Sequence, residues 1–546
     1  MSPPVDPIRQ SQLALAAKLG LPEGYCAEVL LESQLLSPMF IAATSEDKLL
    51  VAEHYGDRLL RIDPVTTNTE CIYQLPHGAW DRLLSDGADG AYLRIRDHIA
   101  HIAGDGTYTK YSSNSVSPVA LGPDGEIYCI SFSRSDVLVI RDPDQKPETI
   151  ATGFSNILDV VRAQNGTLYV SDWDRGTVTR IDPDGTKTVL PAAFNQKDPI
   201  DLDLAPDGTL YVNEGIGKFH KVDPKSGTLT TISWVGGREG SHPGDFTFIS
   251  DGNAYFVDGT HNNLIRADFK TNKMDIVIVG QGNSRALDVG PDGAVYIGDD
   301  SGFPSRRARV LRIADGTVEV YADDLDLVTD LSFAPDSNLF VTTLNQDDGT
   351  SSALLITPKR EVQTLARWDK RSPGFRVLWS VSVDPKTGLA IAYDKDKGQL
   401  ISIDRTGNIS TLPHSFHFAT VDVPLAHAAD GTLYAIEVNT KGFEIGPLVE
   451  RNVICFDKAG HPEIVTDFNH IGSSTAQNLD IGPDGNIYAL GYKLEGNDMC
   501  LWRITPDGKK TLLSDKLPID PLAIATDAQG NIYLCCAAGL FLIYPA

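Results

Sequence analysis

The chain has 546 residues, 42% of them hydrophobic, and a formal net charge of −26. That is ample apolar material for a core and excludes intrinsic disorder. Acidity spread along the whole chain argues against nucleic-acid and anionic-membrane partners, because neutralising phosphates takes Lys and Arg.

In chain order, residues 1–23 read as a helical extension, with Asp6 as N-cap, Pro7 at the first helical position and Gly20 past the end. The apolar stretch Leu13–Ala17 lacks a basic flank and is interrupted by Lys18, so it does not read as a secretory signal. Seven cysteines without zinc-site spacing read as reduced, buried hydrophobes, and a cytoplasmic location is expected. No run approaches the roughly 18 apolar residues of a membrane span.

Tyr25–Glu32 has the pattern of a strand but belongs to no hairpin. From there one phrase recurs: two β-forming runs around an Asp-Gly or Asn-Gly turn, clearest in Pro206-Asp207-Gly208-Thr209-Leu210-Tyr211-Val212. Taking the Asp as marker, copies fall at Glu46, Asp89, Asp124, Asn165, Asp207, Asp251, Asp292, Asp336, Thr387, Asp430, Asp484 and Gln529. A period of mostly about 41–45 residues is that of one four-stranded propeller blade. The reading is therefore all-β: a β-propeller of about twelve blades, exceeding the usual four to eight of one ring. Two six-bladed propellers, 24–280 and 281–546, are the economical division, and one twelve-bladed ring is the alternative. The last copy stops at a third strand, Leu540–Tyr544, so pairing with Tyr25–Glu32 would complete its sheet and remove an open edge.

The repeated phrase resembles that of NHL-type and SMP-30/gluconolactonase-like propellers over residues 36–546. The opening Gly24-Tyr25-Cys26-Ala27-Glu28-Val29 is similar to the start of glucose/sorbosone dehydrogenase-like propellers. The resemblance implies the fold, and fold alone does not assign chemistry.

Aligned on the turns, the first half gathers polar residues where a channel would lie. Nine positions before the marker stand Asn156, Asp198, His242 and Asn283; six before stand Asp159, Asp201, Asp245 and Asp330; four before stand Asp203, Asp288 and Asp480. Oxygen and imidazole donors converging from adjacent blades suit a divalent cation, Ca²⁺, Zn²⁺ or Mn²⁺, so Asn156, Asp198, His242 and Asn283 are the expected metal ligands. Asp201 or Asp245 would act as base, with Asn156, Asp159, Asn283 and Trp173 contacting the ligand. SMP-30-like enzymes hold a catalytic metal with a comparable Glu, Asn and Asp set, which implies a metal-assisted hydrolase or lyase of a small organic substrate. The Asn-Gly-Leu phrase of that family is missing at the matching places, Gln477-Asn478-Leu479-Asp480 being the nearest echo.

Two other readings stand beside it. The recurring Asp residues have a structural alternative, accepting N–H bonds from their own turn or the neighbouring blade. The function has one too: a non-catalytic propeller binding a protein or small ligand through its loops. No nucleotide cofactor is expected, since no phosphate-binding Gly loop occurs, and no Gly-x-Ser-x-Gly elbow is present.

Overall fold

In the computed structural model the described residues are 19–546 apart from 33, 36, 55–56, 77–81, 113–115, 191–200, 215–217, 224–225, 234–244, 259–261, 272, 279–285, 301–306, 315–316, 346–347, 371–375, 417–422, 440–449, 458–459, 468–477, 493–498, 518–520 and 537–538. Among them every regular element is a strand, and no helix is long and apolar enough to cross a membrane. The helix expected over 1–23 falls almost wholly outside them.

The strands form twelve four-stranded antiparallel sheets, the blades of a propeller fold. Chain contacts divide them into two compact units: Gln34–Gly280 with 302–306, and Met1–Ser33 with Gln281–Ser301 and Arg307–Ala546. In the first, the inner strands of successive blades pack in order, and Pro38–Ala43 of the first lies against Phe246–Phe248 of the sixth, closing a ring of six. In the second, the same succession runs from Leu287–Val289 to Pro521–Thr526, which packs back on Leu287–Val289. Tyr25–Glu32 supplies the outer strand of the final blade, pairing antiparallel with Gly539–Pro545 from Tyr25↔Pro545 to Glu32↔Gly539. It therefore belongs with residues 281–546, not with the 24–280 segment to which simple division assigns it.

The turns explain the repeat. At Ala205–Thr209, Ala205 N–H donates to Thr209 O (2.9 Å) and Gly208 N–H to Ala205 O (2.8 Å). The Asp207 side chain accepts from Thr209 N–H (2.9 Å), and Gly208 sits at φ 78°. This is a three-residue hairpin whose glycine takes the left-handed position, not the two-residue Asp-Gly turn that the dipeptide first suggests. Apolar residues alternating off these strands pack between neighbouring blades, as where Ile41, Val51 and Leu60 of the first blade meet Ile249, Tyr255 and Leu264 of the sixth.

Val29 is buried and pairs with Phe541. Val29→Pro interrupts that closing ladder and is expected to destabilise the unit carrying 281–546 by roughly 1–3 kcal/mol. Hydrogen exchange should show the loss in that unit's amides and leave those of 34–280 protected; equal loss in both would contradict the assignment.

Candidate functional site: two central channels

In a ring of blades the innermost strand of each sheet has one edge facing the channel's neighbours with no fifth strand to pair. Its N–H groups need acceptors, and the recurring acids supply them. In the first ring, Asp159 accepts from Val160 N–H (2.8 Å) with one oxygen and, with the other, from Leu202 N–H of the next blade (2.9 Å). Asp203 does the same with Leu204 (2.7 Å) and Phe248 (2.9 Å), and Asp245 with Phe246 (3.1 Å) and, across the closure, Ile41 (3.3 Å). In the second ring the pairs are Asp288 to Phe333 (2.7 Å), Asp330 to Val381 (2.9 Å) and Asp480 to Thr526 (2.5 Å). The backbone-accepting role of these aspartates is thus present in both rings.

What differs is the charge balance. In the first ring the buried Arg82 guanidinium donates to Asp201 (2.5 Å) and Asp245 (3.1 Å), lies 3.8 Å from Asp159, and bonds Leu158 O through Nε (3.0 Å). Burial opposes its charge, but three surrounding carboxylates outweigh burial and hold it firmly protonated. Burial raises Asp159 to about 6 and Asp245 well above the usual carboxylate range, with Arg82 opposing both shifts. Burial also raises Asp203 to about 7. A 180 Å³ cavity remains beside the cluster.

Arg82 belongs to the aspartate series but is displaced in the sequence. The ladder pairs Leu83↔Leu93 as it pairs Leu202↔Val212, so Arg82 stands where Asp201 stands in its own blade. Here Asp86 N–H donates to Gly90 O, closing a three-residue loop of the same length as that between Ala205 and Thr209, with Gly87 in the left-handed position. Asp89 therefore occupies the place of Gly208, and counting back from it arrives one residue late, at Leu83.

Among the described residues the second ring shows no such cation at its centre. Its central cavity, 250 Å³, is reached by the inner strands of all six blades, and no Lys or Arg lines it among the described residues. Burial raises Asp288 to about 7, Asp330 to about 8 and Asp480 to about 6. The His427 imidazole is lowered to about 4 by burial, the Asp384 charge opposing. Its Nδ1 lies 2.9 Å from Ser382 Oγ. Sequence alignment missed this pair because the ninth blade's turn is one residue longer: Asp384 N–H donates to Leu389 O, and the offset from Thr387 no longer reports the inner strand.

Of the expected metal ligands, Asp198, His242 and Asn283 lie outside the described residues. Asn156 lies in the entry loop of the fourth blade, its N–H donated to Asp172 (3.1 Å) and its carbonyl accepting from Trp173 N–H (2.9 Å). Trp173 is 40% exposed beside it. Among the described residues no group of three or more His, Cys, Asp or Glu side chains has the arrangement to hold a metal ion. Asp159, Asp201 and Asp245, by contrast, are brought together, around Arg82.

No family model matches the sequence, and no curated protein matches it. Solved structures resemble it in fold. The GH74 enzyme of Niastella koreensis has a TM-score of 0.47 at 13% identity, covering 94% of this chain and 99% of its own. A tricorn protease gives 0.35 at 10%, covering 94% of this chain, which spans 61% of that protein's length. A streptogramin B lyase gives 0.27 at 9%, covering 79% and 93%. All three are β-propeller proteins.

Two predictions follow from the charge balance. Arg82→Met strands three buried carboxylates and is expected to cost about 3–5 kcal/mol in urea unfolding. Adding Asp201→Asn should recover part of the loss; strictly additive effects would contradict the clasp. For Asp330, the folded value near 8 exceeds the ordinary 3.8, so the folded chain holds the extra proton between those values. Its contribution is complete below about pH 4 and is lost as pH rises towards 8, with a slope up to about 1.4 kcal/mol per pH unit. Asp330→Asn should flatten the fall in melting temperature between pH 5 and 8, even if it lowers the value at pH 5.

Proposed function

We propose that the protein acts on a small, polar organic molecule held in the central channel of residues 281–546, and that the reaction is a hydrolysis or a lyase-type cleavage. The observation that carries this reading is the 250 Å³ cavity lined by aspartates, serines and a histidine, with no Lys or Arg among the described residues that border it. In the first ring Asp159, Asp201 and Asp245 surround Arg82, which makes that centre a clasp. The volume lies below the roughly 300–1,000 Å³ of sites for drug-sized ligands, which suits a small substrate. Channel carboxyls held near neutral pH can exchange protons at working pH, as acid–base chemistry requires.

A second reading keeps the divalent cation at the first ring's entry loops, in the SMP-30-like manner. It is favoured by Asn156, whose backbone is fixed by Asp172 and Trp173 while its side-chain amide makes no hydrogen bond among the described residues. A protein or small ligand bound at the loop faces is the non-catalytic counterpart of both.

Thermal-shift screening of small sugars, lactones, hydroxy acids and short esters should find compounds that stabilise the wild type. Asp288→Asn should weaken them and Asp203→Asn, the matching change in the first ring, should not. The reverse pattern, together with stoichiometric metal lost in Asp198→Ala and His242→Ala, would move the site to the first ring.

A further inference from the structure

Three serines line the second channel, and their hydroxyls are used differently. Ser332 Oγ accepts from Val383 N–H (3.1 Å), and Ser380 Oγ donates to Val423 O, so both complete joints between blades. The Ser382 hydroxyl makes no hydrogen bond to backbone among the described residues; it meets His427 Nδ1 at 2.9 Å. The two residues come from adjacent blades, Ser382 from Leu378–Val383 and His427 from Leu425–His427, and both border the cavity. No hydrogen bond engages His427 Nε2 among the described residues. A neutral imidazole protonated there presents the Nδ1 lone pair to the hydroxyl, the arrangement a base needs.

We propose that Ser382 and His427 form a nucleophile–base pair that cleaves a small ester through a covalent acyl-enzyme. The proposal rests on the channel reading above and goes beyond it by naming the bond and the reacting atoms. Ser382 Oγ attacks the ester carbonyl carbon while its proton passes to His427 Nδ1. The tetrahedral intermediate collapses with rupture of the C–O bond to the leaving alcohol, which takes that proton. A water molecule then gives a proton to the same nitrogen and attacks the acyl carbon. The carboxylic acid leaves, and the proton returns to Ser382 Oγ.

Surrounding groups fit these roles. Asp384 follows Ser382 by two residues and is held in its turn by Lys386 N–H (2.9 Å) and the Thr387 hydroxyl (2.6 Å). Although burial opposes its charge, these bonds keep it below the usual carboxylate value, and its field favours the imidazolium formed during attack. Asp480 lies on the strand packed against that of His427, with Asp288 and Asp330 elsewhere around the cavity. Because burial lowers His427 to about 4, the base stays unprotonated well below the pH at which an ordinary histidine is lost.

The test is reaction of the whole chain with methanesulfonyl fluoride, a serine sulfonylating reagent small enough for the channel, followed by intact mass and peptide mapping. One sulfonyl group per chain, placed on Ser382, is expected. Ser382→Ala should abolish it and Ser380→Ala should retain it. His427→Gln should slow it by about 10²–10⁴-fold. The wild-type rate should hold from pH 8 down to about pH 5. A folded wild type that is not labelled, or labelling indifferent to His427→Gln, overturns the pair. Should channel ligands still bind in an Asp288-dependent manner, only the nucleophile is lost; should they fail as well, the channel reading falls with it.

Discussion

Each blade must hand an unpaired row of N–H groups to its neighbour in a place that water scarcely reaches. A buried amide without a partner costs about 1–3 kcal/mol, and the cost recurs at every joint of a closed ring. Carboxylates set at the start of the inner strands meet the need, with one oxygen for the local amide and one for the next blade, as at Asp159, Asp203 and Asp245. Blade spacing, strand register and the contents of both channels depend on this contact, because the acceptor must point along the ring rather than into the sheet.

Its cost is electrostatic. A carboxylate that satisfies two amides still gathers negative charge at the centre of a low-dielectric ring, and several together cannot all stay ionised without relief. The two rings relieve it differently. The first places Arg82 at the position an aspartate occupies in other blades, so the joint residues become an ion-paired clasp. In the second, burial holds protons on the acids, and hydroxyls stand at Ser332 and Ser380. Hydroxyls and protonated carboxyls border a 250 Å³ cavity and carry protons that can transfer near neutral pH.

How much of this is legible before folding depends on range. Turn chemistry is local, so Asp207 and Gly208 announce their hairpin from neighbouring residues, and twelve such announcements give twelve blades. Closure of Tyr25–Glu32 on Gly539–Pro545 is long-range, yet follows from counting: one strand without a blade and one blade lacking a strand. The aspartate series was visible for the same reason. Arg82 was not, because Asp86-Gly87-Ala88-Asp89-Gly90 carries its Asp-Gly pair one step late while keeping the loop length, and the ladder alone reveals the true offset. Ser382 and His427 were hidden by a longer turn and by chemistry that differs between adjacent blades, which no repeat can display.

Repetition and function therefore pull in different directions within one fold. A residue present in every copy is there because every copy needs it, and Asp203, Asp288 and Asp480, placed alike and bonded alike, answer to the joint. A residue that breaks the series must be tolerated by the joint for some other reason. Arg82 breaks it and is accounted for by the charge of its neighbours. Ser382 and His427 break it too, yet their side chains bond to each other rather than to a backbone amide, beside a cavity that no described Lys or Arg lines. Such a departure, bordering the cavity and bonded to no backbone amide among the described residues, is the form an active group takes on a scaffold whose other inner positions are committed to holding it closed.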